Sequence, residues 1–580
     1  MTAGDDDFQV RPGKGKSRGS GSVRPLSLAA QVKRAAARAG FARRPTRRGG
    51  GTGRLGRGRG AALAGRHSAA SRRVIVKARI VRHSGPRFRA APLARHIAYL
   101  ERDGVTRDGR DASMFDAGSD RASGDAFAGR CADDRHHFRF IVSPEDAGEL
   151  ADLRTFTREL MGDMSKDLGP RLDWVAVDHW NTDNPHVHIL VRGVAEDGAD
   201  LVIDRGYMAH GLRDRAEARV TLELGPRSER EIQHALAREV EADRWTSLDK
   251  GLRSRAGEDG VVDLRPGASS TPDRRSLLLT GRAQKLERLG LATPAGPACW
   301  RLKPNIEPRL RELGDRGDII KTMHRAMREG GHAIQESRLA IHPPGAAEPL
   351  VGRLVARGLQ DELTGTAYAI VDGIDGRHHH LRLGDLELTG DAAAGAIVEL
   401  RSWQDRGGVQ RSALAVRSDL PLQSQVTARG ATWLDRQLLA RDFAPASQGF
   451  GAEVRDAMRA REDHLVAEGL ATRNGKRVIL APNLIDTLRS ADLREASARI
   501  AARTGLTPYE TAPGSTIAGT YRERVTLASG RFAMIDDGLG FQLVPWRPAL
   551  DRQLGASVTG TMAAGGGIDW TFGRSRGHGI

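Results

Sequence analysis

The sequence predicts an α+β protein. It should have an antiparallel-rich sheet with helices, a disordered basic arm before it, and duplicated winged-helix and small β-barrel modules after it. Three observations favour this architecture. Periodic apolar segments within residues 73–248 follow the order strand, helix, strand, helix, strand, strand, helix. Short segments after residue 248 recur in the same order. The first 72 residues are basic and poor in large apolar side chains.

The predicted arm, residues 1–72, concentrates the positive charge of the chain. It contains 17 Lys and Arg side chains and three Asp, and so carries +14 of the formal net charge of +17. A segment rich in Gly, Ala and Arg buries too little apolar surface to offset its ordering entropy, so we predict disorder. Its charge favours an arm that binds nucleic acid, with a solubilising tail or a start site assigned too far upstream as the alternatives.

The first folded domain is predicted over residues 73–248. Short runs rich in Val, Ile and Phe are typical of strands and lie at 74–81, 137–142, 174–178 and 186–191. Apolar residues at helical spacing predict helices at 92–101, from 143 to 168, at 207–224 and at 228–245. The second of these should begin at Ser143-Pro144-Glu145-Asp146, where a cap hydroxyl precedes a proline and two acids.

The rest of the chain contains an internal repeat. Gly290-Leu291-Ala292-Thr293 recurs at residues 469–472, and the strand pattern of residues 365–372 recurs at 530–536. Each copy is typical of a helix, a β-hairpin and a helix, followed by short strands. The predicted modules are winged-helix-like units at 270–340 and 451–500, small β-barrels at 345–417 and 515–565, a helical connector at 418–450 and a basic tail at 566–580.

Several features bound the cellular setting. No run of about 18 apolar residues is present, so no membrane insertion is expected. Cys131 and Cys299 lie far apart and match no metal or redox spacing, which favours a reducing cytoplasm. We also expect the run His378-His379-His380 to be a solvated loop, because it follows a Gly-Arg turn without acids at a suitable spacing.

Three histidines predict a metal site. His186 and His188 are two apart on a predicted strand, so both side chains leave the same face. A tight turn can bring His179, at the end of the neighbouring strand, beside them. Three converging imidazoles can hold a divalent cation and leave positions open for a substrate. Asp178 and Asp183 are the predicted carboxylates that orient the imidazole N–H groups.

The metal site alone does not choose a reaction. The cation could activate water, as in a metallohydrolase, or polarise a phosphate for attack by a protein nucleophile. Tyr99 and Tyr207 are the two tyrosines in the predicted domain. Tyr99 ends the short helix among charged residues, including Arg95 and Arg102, which suits a DNA-facing nucleophile. A helical tyrosine considered by itself is more often a packing residue.

Three segments in order resemble the conjugative relaxases and mobilisation nucleases of the HUH class, in the branch of T-DNA border endonucleases and plasmid-mobilisation proteins. The helix from His96 to Gly104 is similar to the nucleophile motif of that family, and Phe138 to Pro144 is similar to its strand segment. His179-x-Asn181-Thr-Asp183-Asn-Pro185-His186-x-His188 resembles its metal motif without a gap. Asn181 occupies a position where relatives often have an acid. The C-terminal half resembles an uncharacterised extension of a relaxase subgroup.

The resemblance implies a function. Tyr99 would attack a phosphate at the nick site of a plasmid or integrative-element transfer origin, forming a 5′-phosphotyrosyl link and a free 3′-OH. His179, His186 and His188 would hold Mg²⁺ or Mn²⁺, and Arg95 and Arg102 would contact DNA. The implied partners are single-stranded transfer-origin DNA, relaxosome accessory proteins and the coupling protein of a type IV secretion system. The implied location is the bacterial cytoplasm, with passage alongside the DNA into a recipient cell.

Other functions stay open at this point. A rolling-circle replication initiator or a transposase would use the same chemistry. The sequence lacks the phosphate loop GxxxxGK[ST], which argues against a replicative helicase. A non-catalytic DNA-binding mobilisation protein would rely on the winged helices. A metallohydrolase would cut DNA with water and leave no covalent adduct.

Overall fold

The computed structural model describes residues 57–64, 70–83, 91–103, 106–180, 184–265, 273–346, 348–510, 512, 514–563 and 567–571. The chain forms two units, one of Met1–Thr322 with Asp361–Thr364 and the other of Met323–Gln360 with Gly365–Ile580. Helices and antiparallel-rich sheets confirm the predicted α+β class. Within the described ranges, no helix is both long enough and apolar enough to cross a membrane.

The first unit begins with the elements of the predicted nuclease domain. Its helices and strands are α1 (Arg59–Ala64), β1 (Val74–Arg82), α2 (Ala91–Asp103), α3 (Gly124–Arg130), β2 (His136–Pro144), α4 (Leu153–Leu168), β3 (Trp174–His179), β4 (His186–Arg192), α5 (Leu212–Leu224) and α6 (Glu229–Val240). A π-helical turn, Tyr207–Gly211, leads directly into α5. All four predicted strands are present in the order expected from the sequence.

The four strands form one antiparallel sheet in the order β1-β2-β4-β3. Successive strand residues point to opposite faces, so each strand contributes to both faces of the sheet. One face packs on α4 and α5 and forms the main apolar core of this domain. The strand residues of that core are Val74, Val76, Phe138, Phe140, Val142, Trp174, Ala176, Val187, Ile189 and Val191.

The opposite face of the sheet carries basic and imidazole side chains. Directly paired residues share a face, and the register pairs Arg79 with Arg139, Ile141 with His188, and His179 with His186. The polar residues that this alternation assigns to the face are Lys77, Arg79, His137, Arg139, Ser143, His179, His186, His188 and Arg192. We call it the basic face. The sheet therefore separates the apolar core from the side chains that can bind a metal or an anion.

Two boundaries differ from the prediction. Ser143 and Pro144 end β2 instead of starting a helix, because they pair with Ile75 and Val74 of β1. The helix begins later, at Leu153, where the Asp152 side chain accepts hydrogen bonds from two backbone N–H groups. Residues such as Ser, Asp and Pro occur at the ends of strands as well as at the starts of helices. The local sequence pattern therefore did not distinguish these two structures.

Part of the predicted disordered arm is ordered. Residues 59–64 form α1, and the backbone N–H of Arg57 donates to Val202 O at 2.8 Å. Arg72 is 8% exposed and forms an ion pair with Asp146 at 3.0 Å. Pairing with the folded domain supplies the stabilisation that the local composition lacks. Residues 1–56 and 65–69 lie outside the described residues.

Two further sets of elements follow α6. The first set comprises α7 (Ser247–Arg255), β5 (Val261–Asp263), α8 (Arg274–Arg288), β6 (Ala292–Gly296), β7 (Cys299–Leu302), α9 (Ile306–Glu329) and strands β8 (Leu339–Ile341), β9 (Leu350–Asp361), β10 (Thr366–Gly373), β11 (His378–Leu383), β12 (Ile397–Gln404) and β13 (Gln410–Ser418). The second set comprises α10 (Leu422–Val426), α11 (Trp433–Leu439), α12 (Gly449–Ala467), β14 (Ala471–Asn474), β15 (Arg477–Leu480), α13 (Leu484–Thr504) and strands β16 (Thr507–Pro508), β17 (Thr516–Leu527), β18 (Gly530–Asp536), β19 (Gly540–Pro545), β20 (Ser557–Met562) and β21 (Ile568–Thr571).

The two sets contain the same buried ion pair. Arg282 donates through Nε and Nη2 to both oxygens of Asp249, and Arg461 does the same to Asp435, at 2.8 and 2.9 Å in each case. Both arginine side chains are fully buried. Each arginine precedes the repeated Gly-Leu-Ala-Thr by the same interval, at Gly290 or Gly469. Remaining guanidinium hydrogens reach backbone carbonyls of Glu239, Val240, Ala242 and Arg244, or of Val426, Ala428 and Gly430.

The six-stranded sheets of the two sets also share one strand order. They run β13-β12-β9-β10-β11-β8 and β21-β20-β17-β18-β19-β16. Gly352 and Gly519 occupy the same position, since a Cβ atom on either would lie 2.3 or 2.5 Å from the carbonyl oxygen of Asp372 or Asp536. Only glycine tolerates such a close backbone approach. The hairpin sheets differ, because β5-β7-β6 has three strands and β14-β15 has two.

The prediction that His378-His379-His380 forms a solvated loop is wrong. These residues begin β11 and are between 0 and 4% exposed. His378 Nδ1 lies 3.0 Å from Asp372 Oδ1, and His379 Nε2 lies 3.0 Å from Asp375 Oδ1. The carboxylates that make burial tolerable come from the preceding strand and turn, so the histidine run in isolation gave no sign of them.

We predict that Arg282→Ala destabilises the first unit by about 3–5 kcal/mol, because it leaves the buried Asp249 carboxylate without its counter-charge. Urea unfolding followed by tryptophan fluorescence measures this, since Trp245 and Trp300 lie in the same core as Leu279. Arg288→Ala is the matched control, because that side chain is 59% exposed and its ion pair with Glu241 is at the surface. Equal unfolding midpoints for Arg282→Ala and the unmodified chain would contradict the prediction.

Candidate metal centre

The three predicted histidines meet on the basic face at the ends of β3 and β4. His179 ends β3 and pairs directly with His186, the first residue of β4. His188 follows on the same face of β4. The three ring centroids are 4.7 to 5.2 Å apart. All three side chains are buried.

A carboxylate that the sequence analysis did not predict joins the histidines. Glu362 Oε2 lies 2.9 Å from His188 Nε2 and 3.3 Å from His186 Nε2. Glu362 is in the segment Asp361–Thr364, which belongs to the first unit. One ligand atom from each of the four residues lies within 4.8 Å of the others, so this His/Glu cluster could hold a metal ion.

Backbone carbonyls fix two of the rings. His179 Nε2 lies 3.0 Å from Leu100 O, and His186 Nδ1 lies 3.0 Å from Asn184 O. A ring nitrogen that donates to a carbonyl carries the proton, so the other nitrogen has a free lone pair. Metal-bound histidines commonly have their second nitrogen held in this way. The arrangement leaves Nδ1 of His179 and Nε2 of His186 for a cation.

Burial favours the neutral forms of His179 and His188. It lowers the pKa of His179 to about 3, and the neighbouring His188 and His186 contribute in the same direction. Burial also lowers the pKa of His188. Burial alone would raise the pKa of Glu362, but its histidine neighbours hold that pKa well below the usual range. Neutral imidazole and carboxylate are the forms that bind metal.

The donor set fits a divalent cation. His186 Nε2 and His188 Nε2 are 3.1 Å apart, and both lie within 3.3 Å of Glu362 Oε2. Lone pairs that face each other repel unless a proton or a cation lies between them. Three imidazoles and one carboxylate suit Mn²⁺ and the later transition metals better than Mg²⁺, which prefers oxygen ligands and water.

The helix α2, which carries the predicted nucleophile Tyr99, contacts the cluster through its backbone. The hydrogen bond from His179 Nε2 ends on Leu100 O, so α2 lies against the metal ligands. His96, Tyr99 and Leu100 share one helical face, because they are three and four residues apart. Burial, Arg139 and then His188 lower the pKa of His96 well below its usual range. Tyr99, between these two anchors, is 9% exposed.

Tyr207, the other tyrosine of this domain, has a structural environment. Its side chain is fully buried in the core between the sheet and the helices. The hydroxyl donates to Asp167 Oδ2 at 3.0 Å, and Arg215 pairs with the same carboxylate at 2.7 Å. Burial raises the pKa of Tyr207 above its usual value. These contacts occupy the hydroxyl and separate it from the basic face.

The predicted carboxylate neighbours do not both contact the histidines. Asp178 accepts from Arg154 Nε and Trp180 Nε1, both at 2.8 Å, and so does not orient an imidazole. It precedes His179 by one residue and therefore points to the opposite face of β3. Asp183 lies outside the described residues. Arg95 and Arg102 are on α2, and their side chains are likewise outside the described part of the chain.

Sequence reasoning missed three contributors to this site. Glu362 is far from the histidines in sequence, and no local pattern links them. His96 is the first residue of the nucleophile-like motif, but the sequence analysis assigned it no role. Arg139 alternates with His137 on β2, and that two-residue period could have assigned it to the face of the histidines once the strand pairing was known.

The family described as "Protein of unknown function (DUF3363)" matches residues 279–410 and 402–579. These matches together cover more than half of the 580 residues. They include Glu362 and exclude the three histidines. Comparison with curated proteins gave no match, and comparison with solved structures gave none either. The chain therefore belongs to the DUF3363 family of proteins of unknown function.

Proposed function

We propose that residues 73–248 are a DNA relaxase domain, a metal-dependent transesterase that nicks one strand at a transfer origin. The observation that carries this proposal is the junction of α2 with the metal cluster through Leu100 O and His179. That contact joins the helix of Tyr99 to a ligand set of three histidines and Glu362. The cluster lies on a sheet face that also carries basic residues, which suits a phosphodiester substrate.

The proposed reaction needs no water, oxidant or external energy. The Tyr99 oxygen forms a bond to the scissile phosphorus while the bond from phosphorus to the 3′ oxygen breaks. One proton leaves the phenol and one is taken up by the 3′ oxygen, so the products are a 5′-phosphotyrosyl link and a 3′-OH. Reversal reseals the strand, because the ester bond energy is retained.

The residues of the site have separate roles in this proposal. His179, His186, His188 and Glu362 would hold the divalent cation, which supplies Lewis-acid polarisation of the phosphate. The carbonyls of Leu100 and Asn184 orient the rings. The helix α2 positions Tyr99, since its backbone is fixed to a ligand. Preorganised groups of this kind lower the barrier without rearranging during the reaction.

The proposal extends to the C-terminal half at a coarser level. We assign each helix–hairpin–helix segment, α8 to α9 and α12 to α13, to a winged-helix-like module and each six-stranded sheet to a small β-barrel. The β14–β15 hairpin carries Arg473, Lys476 and Arg477 at and beside its turn, all exposed, which favours contact with a polyanion. Duplex DNA and partner proteins are the two ligand classes for these modules.

Partners and location follow from the same proposal. A relaxase acts on single-stranded transfer-origin DNA with accessory proteins and is delivered by a secretion coupling protein. It works in the bacterial cytoplasm and accompanies its DNA to a recipient. The arm of residues 1–72 and the tail of 566–580 would add salt-dependent DNA affinity through their arginines.

We predict that Tyr99→Phe reduces covalent adduct formation by roughly 10³-fold or more, because it removes the attacking oxygen. The assay incubates the full chain with Mn²⁺ and a library of labelled single-stranded oligonucleotides. A 3′-labelled strand should migrate with the protein on a denaturing gel, whereas a 5′ label should be released. Chelator should abolish both products.

Tyr207→Phe is the matched control and should retain the adduct. An adduct that survives Tyr99→Phe would show that another residue is the nucleophile. Cleavage that survives without any adduct would indicate a water-using metallohydrolase. Absence of both cleavage and adduct in the unmodified chain would favour a non-catalytic DNA-binding protein.

We predict that the cluster binds Mn²⁺ more tightly than Mg²⁺, because three of its four donors are imidazoles. Isothermal titration calorimetry with each metal measures the two affinities. His188→Ala should weaken Mn²⁺ binding by about 100-fold or more, and Glu362→Gln should weaken it less, since three nitrogen donors remain.

The exposed His234 provides the control for the metal experiment, and His234→Ala should leave both affinities unchanged. Tighter binding of Mg²⁺ than of Mn²⁺ would contradict the assigned donor set. Unchanged Mn²⁺ affinity in His188→Ala would show that the cation binds elsewhere.

A further inference from the structure

Arg139 is a cation on the basic face that no carboxylate neutralises among the described residues. It pairs in register with Leu190 of β4, two residues from the ligand His188, and with Arg79 of β1. Its side chain is half-buried, and burial lowers the pKa of Arg139 to about 10. Arginines held in low-dielectric surroundings are ordinarily matched by an acid, as Arg282 and Arg461 are in this chain.

Arg139 and His188 lie on the same face of the sheet, because Arg139 pairs with Leu190 and Ile141 pairs with His188. The charge of Arg139 is also, after burial, the main contributor to the lowered pKa of His96 on α2. The strand register therefore places Arg139 on the face that carries the candidate cation site.

A chain of hydrogen bonds fixes the orientation of Arg139. Its Nε donates to His137 Nε2 at 3.0 Å. His137 Nδ1 lies 2.7 Å from His83 Nε2, and His83 Nδ1 lies 2.9 Å from Asp134 O. Because Nε2 of His137 accepts, its Nδ1 carries the proton and donates to His83, whose own proton goes to the carbonyl. Both rings can thus remain neutral while they hold the arginine.

The hydrogen bond to His137 uses Nε and leaves the two terminal groups, Nη1 and Nη2, for a ligand. Among the described residues neither has a hydrogen-bond partner. Two parallel N–H groups match the two non-bridging oxygens of a phosphodiester. Burial strengthens such a contact because water competes less.

We infer that Arg139, oriented by His137 and His83, is the phosphate-binding residue of this site and binds the phosphodiester beside the metal cluster. The inference rests on the proposed function and deepens it by assigning substrate contact to Arg139, to which the sequence analysis gave no role. The recognised group is the DNA backbone and not a base, so Arg139 contributes affinity without sequence preference.

The test uses dimethyl phosphate as the probe and the full chain loaded with Mn²⁺. Paramagnetic broadening of the ³¹P signal reports binding close to the metal, and its concentration dependence gives the dissociation constant. Arg139→Gln should raise that constant by about tenfold, because a charge-assisted double hydrogen bond is lost. Arg139→Lys should give a dissociation constant between those of Arg139→Gln and the unmodified chain, since it keeps the charge and loses the two parallel N–H groups.

Arg135→Gln is the matched control, because this arginine is 82% exposed and lies just before the same strand. It should leave the constant unchanged. The Mn²⁺ affinity and melting temperature of each variant are measured first, so that a lost metal or a lost fold is not mistaken for a lost contact. Equal constants for Arg139→Gln and the unmodified chain, or no broadening with the unmodified chain, would overturn the inference.

The proposed function fails separately from this inference. A chain that binds the probe through Arg139 but never forms a tyrosyl adduct would support the phosphate site and overturn the relaxase proposal.

Discussion

The alternation of side chains along the sheet β1-β2-β4-β3 is the constraint on which the candidate site depends. Each strand must bury one row of apolar residues against α4 and α5, and the intervening residues then have to occupy the opposite face. In β4 the buried row is Val187, Ile189 and Val191, so the histidines lie on the other side. A shift of one residue in register would put imidazoles in the core and valines on the basic face. Core packing therefore fixes the direction of the chemical groups.

The basic face shows how fixed backbone atoms organise polar side chains. Leu100 O and Asn184 O hold His179 and His186, and Asp134 O ends the chain through His83 and His137 to Arg139. A carbonyl accepts but never donates, so each of these contacts selects one tautomer. On the same face, these contacts orient the ring nitrogens of the cluster and the guanidinium beside it.

The C-terminal half uses charge differently. The pairs Arg282–Asp249 and Arg461–Asp435 are fully buried, bidentate and further satisfied by backbone carbonyls. Such pairs favour one folded arrangement, because every buried donor needs an acceptor. A misfolded arrangement would leave a charge buried without its partner and would therefore be destabilised by desolvation. Among the residues that the structure describes, no carboxylate pairs with Arg139, and this contrast with Arg282 and Arg461 is the basis of its proposed contact with phosphate.

The sequence by itself determined the α+β class, the four strands of the first domain and the three histidines, because period-two alternation and i, i+2 spacing are local properties. It also revealed the repeated Gly-Leu-Ala-Thr, although not that strand order and buried ion pair recur with it. Only the tertiary structure decided the fourth member of the cluster, since Glu362 is 174 residues beyond His188. It likewise decided that Ser143 ends a strand, that Asp178 pairs with Arg154, and that His378 is buried. Each of these outcomes depends on partners that are distant in sequence or contributed by another strand.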